Sequence, residues 1–192
     1  MKLEELAPGT FIYRIADALE ASFCDDIVAR FEASPGEHYA GRVGQGEERH
    51  ADIKRSVDLR ISGKAHWQDV DRTLFRSLRE ALSQVAAIHP FFASNPFKDL
   101  GYNLQRYERG EHYHWHVDSG PGAFSTRQLV AIWYLNDVPG PGGETEFAFQ
   151  QVAVRPVRGT LILFPPFWTH VHRAVELEEG RKYIATTWVC FA

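Results

Sequence analysis

Hydrophobic and polar positions change their period once along this chain of 192 residues. Up to about residue 100 the apolar positions recur every three or four. Trp67, Val70, Leu74, Leu78, Leu82, Val85 and Ile88 make a stripe of that kind, which predicts an amphipathic helix over 66–89, ended by Pro90. Phe23, Ile27, Val28 and Phe31 predict a second helix over 17–33, with Ser22 and Asp25 as a capping signal and Ser34-Pro35-Gly36 as its stop. Short strands are expected at 11–15 and 57–61. The segment 35–52 is rich in Gly, Glu and His with few apolar anchors, and it predicts a long mobile loop.

From Gly101 the period falls to two. Runs rich in aromatic and β-branched residues occupy 102–107, 112–117, 127–135, 144–149, 152–154, 160–164, 169–175 and 182–191. Turn clusters such as Arg109-Gly110, Pro139-Gly140-Pro141-Gly142-Gly143 and Glu179-Gly180 separate them. Short strands at this spacing predict a mainly β fold, a double-sheet jelly roll or double-stranded β-helix. The two helices then pack on one of its sheets. One domain is expected over 1–192, with 1–100 as helical and strand support and 101–192 as the jelly-roll core. The stretch 129–135 is apolar throughout, which suits a central strand covered on both faces.

Composition narrows the function more than the fold. A net charge of -4 without asymmetry offers no phosphate-tracking surface, so a nucleic-acid partner is not expected. Met1-Lys2-Leu3-Glu4-Glu5 is acidic where a signal peptide is basic and then apolar, and no apolar run is long enough to span a bilayer. Cys24 and Cys190 stand alone and far apart, which reads as two reduced thiols in a cytoplasmic protein.

The chemistry concentrates in Tyr107–Asp118. His112, His114, His116 and Asp118 fall at every second position, so a regular strand points all four one way. Inward imidazole nitrogens need partners, and a metal ion satisfies several at once. His116 and Asp118 supply one nitrogen and one oxygen ligand. A third must come from afar, from His170 or His172. Two histidines and a carboxylate make the facial triad of non-haem Fe(II) oxygenases.

The surrounding residues resemble the Fe(II)- and 2-oxoglutarate-dependent dioxygenases, in their prolyl 4-hydroxylase-like branch. Tyr107 and Tyr113 lie nine and three residues before His116. Tyr134-Leu135-Asn136 leads to Gly142-Gly143-Glu144-Thr145. Gly159 and Phe164-Pro165 precede the distal histidine. The family places a glycine eight residues and a basic residue ten residues after that histidine, as Gly180 and Lys182 follow His172 and not His170. The resemblance spans about 102–189.

It implies Fe(II) held by His116, Asp118 and His172. It implies 2-oxoglutarate as cosubstrate, its distal carboxylate on Lys182 with a hydrogen bond from Tyr107. Molecular oxygen is the co-reactant, and ascorbate an accessory reductant. Oxidative decarboxylation to succinate and carbon dioxide would hydroxylate an amino-acid side chain, prolyl being the family's favoured target, in a peptide, protein or small molecule. Halogenating relatives lack the carboxylate that Asp118 supplies, so hydroxylation is the expected outcome. His112 and His114 are then a rim and a substrate-side residue, Arg173 and Arg181 outward neighbours, and Trp168 and Trp188 core or pocket wall. Two other readings compete. A cupin-type metal enzyme without 2-oxoglutarate leaves Lys182 unexplained. A non-catalytic jelly-roll binding protein predicts decay of the triad or its anchor, and all four positions are filled.

Overall fold

The computed structural model describes residues 2–44 and 49–192. The chain opens with the hairpin of β1 (Leu3–Glu5) and β2 (Tyr13–Ile15). Helix α1 (Ala21–Glu32) follows and starts later than the polar pattern predicts. Asp17 takes a left-handed φ of 54°, and the Leu19 N–H donates to Gly159 O at 3.1 Å, so 17–20 form a turn that buries Ala18 and Leu19 instead. Ser22 caps nothing; the N-cap is Glu20, without a side-chain hydrogen bond. Gly159 has a φ of 81°, and a Cβ there would lie 2.5 Å from Leu19 O, so this junction demands glycine.

Of the loop expected over 35–52, residues 45–48 lie outside the described residues. Before them the chain forms a 3₁₀ turn at Pro35–Glu37 and the short β3 (Tyr39–Ala40). Strands β4 (Lys54–Arg55) and β5 (Val57–Arg60) come next. Helix α2 (Gln68–Ile88) realises the long apolar stripe. Val70, Leu74, Leu78 and Val85 are buried along with Ser77 and Ala81, Leu82 is half-buried, and Ile88 at the end of the stripe is exposed. Burying one such leucine contributes about 1.5–3 kcal/mol. Ser77 is tolerated in the core because its hydroxyl donates to Ala18 O and accepts the Trp133 indole N–H, both at 3.0 Å. Pro90 ends α2 and opens the short α3 (Pro90–Ala93).

Strand β6 (Phe97–Asp99) leads into the eight expected runs, each of which contains a strand. They are β7 (Asn103–Tyr107), β8 (His112–His116), β9 (Arg127–Tyr134), β10 (Thr145–Phe147), β11 (Val152–Val154), β12 (Leu161–Phe164), β13 (His172–Ala174) and β14 (Lys182–Phe191). Two antiparallel sheets result. The large one runs β1-β2-β12-β9-β14-β7-β5-β3, with β6 on β14; the small one runs β11-β10-β13-β8-β4. This is the expected double-stranded β-helix. Residues before 100 do more than support it, since β4 joins the small sheet and β1, β2, β3, β5 and β6 join the large one.

Alternation on β9 separates two cores. Leu129, Ala131, Trp133 and Leu135 face α1 and α2, while Val130, Ile132 and Tyr134 face the small sheet together with Ile162, Phe164 and Ile184. That is why the segment carries no polar alternation. Cys24 and Cys190 are both buried and unpaired, and burial pushes the Cys24 thiol up to about 11. Among the described residues no helix is long and apolar enough to cross a membrane.

Candidate metal centre and cosubstrate pocket

Strands β8 and β13 are neighbours in the small sheet, and His116 pairs directly with His172. The next pair is Ala174 with Tyr113, so β8 spends three residues where β13 spends two. This bulge corrects the reading of a regular strand with four inward side chains. Tyr113 and His116 share the inner face, their rings stacked with centroids 3.5 Å apart. His114 is exposed, and His112 turns toward Asp52 O at 3.3 Å.

His116, Asp118 and His172 converge. Their ligand atoms all lie within 4.8 Å of one another. Asp118 Oδ2 sits 3.2 Å from His172 Nε2 and 4.0 Å from His116 Nε2. Each imidazole pairs its Nδ1 with a backbone carbonyl two residues upstream, His116 with His114 O at 2.7 Å and His172 with His170 O at 2.9 Å. An Nδ1–H donated there turns the Nε2 lone pair toward the shared centre. Burial, and then His172, push the His116 imidazole down to about 3, so it is neutral at working pH. Burial alone would raise the Asp118 carboxyl. The hydrogen bond and charge of His172, with His116 and Arg127, hold it well below the usual carboxylate range. Two imidazole nitrogens and one carboxylate are the donor set that suits Fe(II) with an open coordination face. The turn carrying Asp118 is pinned: the Asp118 and Ser119 N–H groups both donate to Pro166 O, and Arg127 Nη1 donates to Asp118 O at 2.7 Å.

The distal alternative, His170, does not join this cluster. Its Nε2 pairs with Thr10 O at 2.8 Å and its Nδ1 with the Thr169 hydroxyl at 2.9 Å. It lies in a 3₁₀ turn, Trp168–His170, where the strand pattern expected an extended run from 169.

A narrow, mostly apolar cavity leads from the triad between the sheets. Lys182 lines it, 1% exposed, and donates to Gly143 O at 2.7 Å. Its ammonium lies 5.4 Å from the Tyr107 ring and 5.8 Å from the Tyr134 ring. Burial pushes it down to about 7, a pull that Glu144 partly opposes. Tyr107, cross-strand from Lys182, is buried and donates its hydroxyl to Gln105 Oε1 at 2.9 Å. Tyr134 donates to the Thr145 hydroxyl at 2.8 Å. Trp188 lines the cavity as expected, but Trp168 is 76% exposed and is neither core nor wall. Arg173 donates to Glu146 at 2.7 Å and, against the expectation of an outward neighbour, also borders the cavity, while Arg181 is exposed.

Three features escaped the sequence reading. Arg127 is buried between the Phe124 and Trp188 rings, 4.0 and 3.8 Å from their centroids. Lys54 and Asp58 form a buried ion pair of 2.7 Å, with Lys54 5.3 Å from the Tyr113 ring. Gln105 occupies the cavity wall. A charged residue opening an apolar run is a weak signal for Arg127; the others carry none.

A jelly roll that joins a facial triad to a buried lysine fits a mononuclear non-haem iron oxygenase with an anionic cosubstrate. Residues 102–190 match the 2OG-Fe(II) oxygenase superfamily. That match covers the jelly-roll core rather than the whole chain; with the His116-Asp118-His172 cluster inside it, it marks a 2-oxoglutarate-dependent dioxygenase using Fe(II), 2-oxoglutarate and molecular oxygen. No curated protein matches the chain. Among solved structures, the viral collagen prolyl hydroxylase of Paramecium Bursaria Chlorella virus-1, in complex with 2-oxoglutarate, is similar with a TM-score of 0.72 at 19% identity over 98% of this chain and 99% of that one. A Trichoplax adhaerens prolyl hydroxylase, in complex with a hypoxia inducible factor peptide fragment, gives 0.79 at 16% over 95% and 84%. A Pseudomonas putida prolyl-4-hydroxylase gives 0.71 at 24% over 95% and 94%. The fold is the one these prolyl hydroxylases share.

Proposed function

We propose that the protein hydroxylates a side chain, prolyl in the first instance, within a peptide or protein segment. His116, Asp118 and His172 would hold Fe(II), which when bound supplies the oxidising chemistry. Lys182 would anchor the distal carboxylate of 2-oxoglutarate, with Tyr107 beside it. The chain's part is to orient both ligands, keep His116 neutral and exclude water from the cavity.

One observation carries the choice of substrate. A second hollow of about 300 Å³ adjoins the site, walled by His38, Tyr39, Arg49, Arg55 and Glu111. Lys54 lines this hollow, and its ammonium lies 5.3 Å from the ring of Tyr113, which lines the inner cavity. A metabolite would need only the inner cavity; a hollow of this size beside it suits a length of extended chain. The peptide bound to the Trichoplax relative supports the same reading. Two buried, unpaired cysteines support a reducing, cytoplasmic setting.

The test is a screen of proline-containing peptides and free amino acids for gain of one oxygen atom coupled to succinate release. Turnover of peptides but not of free proline supports the reading; turnover of free amino acids alone overturns it.

A further inference from the structure

We propose that Gln105 is a further cosubstrate-binding residue whose amide N–H groups meet the distal carboxylate of 2-oxoglutarate beside Lys182, and that Tyr107 acts on that carboxylate through Gln105. The proposal rests on Lys182 as the anchor of that carboxylate.

Strand register puts Gln105 where this requires. On β7 it lies two positions from Tyr107, hence on the same face, and it pairs with Ile184 of β14, two positions from Lys182. It is 8% exposed and shares the cavity wall with Lys182 and Tyr107. A phenol has one proton to donate, and Tyr107 gives it to Gln105 Oε1 at 2.9 Å. Toward an incoming carboxylate such a phenol presents only lone pairs, which repel an anion. The amide whose oxygen is thus occupied presents its NH₂, and among the described residues that nitrogen has no hydrogen-bond partner.

The nearest competitor for it is Asp58, its cross-strand neighbour on β5. Asp58 is already served by Lys54 and Ser56 at 2.7 Å each and by Asn103 at 3.4 Å. The amide N–H groups are therefore left for the cavity. The reversed amide would turn its oxygen toward the carboxylate, so an anionic ligand selects the orientation seen. Lys182 spends one of its three donors on Gly143 O, and the carboxylate then meets an ammonium and an amide together. Tyr107 is a positioning residue in this scheme.

The experiment measures ligand binding without turnover, in full-length protein loaded with Mn(II) under anaerobic conditions. Gln105→Leu is expected to weaken 2-oxoglutarate about tenfold or more. It should leave unchanged the binding of 2-oxobutyrate, which chelates metal but lacks the distal carboxylate; a merely structural defect would weaken both. Tyr107→Phe should cost about threefold, and the double variant should be no worse than Gln105→Leu alone. Gln105→Glu, of nearly the same size, sets a carboxylate against a carboxylate and should cost about a hundredfold, and it reads the same contact if the leucine variant does not fold.

Gln105→Leu that binds both acids like the wild type overturns the proposal. So does Tyr107→Phe with a loss as large as that of Gln105→Leu and additive to it, since Tyr107 would then touch the cosubstrate itself. Wild-type protein indifferent to 2-oxoglutarate would bring down the Lys182 anchor as well, which separates that failure from one confined to Gln105.

Discussion

Replacing Lys182 by methionine removes the charge and keeps most of the side-chain volume. In the ligand-free protein burial pushes this ammonium down to about 7 from its ordinary 10.5. Each tenfold change in proton affinity corresponds to about 1.36 kcal/mol, so holding the charged form in the cavity costs at most roughly 5 kcal/mol. The sign follows from proton counting. Between pH 7 and about 10 the unfolded chain carries the proton and the folded one does not, so stability rises with pH across that window. Below pH 7 both states are charged and the full cost remains.

Lys182→Met should therefore melt higher than wild type at pH 7 without ligand, and the difference should shrink as pH approaches 10. With Mn(II) and 2-oxoglutarate the order reverses. Losing one partner of a buried charge pair costs about 2–5 kcal/mol, or about 30-fold to a few thousand-fold in cosubstrate affinity. Wild-type affinity should itself fall up to about tenfold per pH unit above 7, because the bound carboxylate requires the charged amine. Thermal melts with and without 2-oxoglutarate, from pH 7 to 9.5, read all of this. A variant that keeps the 2-oxoglutarate shift in melting temperature, or one whose ligand-free melting tracks wild type at every pH, would refute the reasoning.

Three further outcomes are expected. His172→Ala should abolish the Mn(II)-dependent rise in melting temperature, while His170→Ala, which loses only its contacts to Thr10 and Thr169, should keep it; the reverse result would make His170 the distal ligand. Gly142→Ala forces a side chain onto a φ of 82° and sets its Cβ 2.1 Å from Glu176 O, so it should cost about 2 kcal/mol or more, a drop of roughly 4–10 °C, and a drop under 2 °C by calorimetry would contradict the strain. Asp58→Ala strands the buried Lys54 and should cost about 3–5 kcal/mol in urea unfolding, with much of it recovered by adding Lys54→Met; no recovery would mean that the loss lies in Ser56 and Asn103 instead.

Local pattern alone determined a good deal here. Period and turn residues located α2 and every strand from β7 to β14, because side-chain direction repeats along each element and needs no knowledge of its neighbours. The spacing of Tyr107, His116, Asp118, Gly180 and Lys182 carried a family resemblance, and it was that resemblance that implied the chemistry. Tertiary structure decided what depends on pairing between distant strands. The bulge on β8 exists only in register with β13, and it turns Tyr113 toward the metal centre and His114 away. His170 is withdrawn by a carbonyl 160 residues earlier in the chain. The start of α1 yields to Gly159, and Gln105 reaches the cavity and Lys54 meets Asp58 because β4, β5 and β7 lie side by side with strands remote in sequence. Hydrogen bonds between segments so far apart leave no periodic trace in the order of residues, so they become legible only once the sheets are assembled.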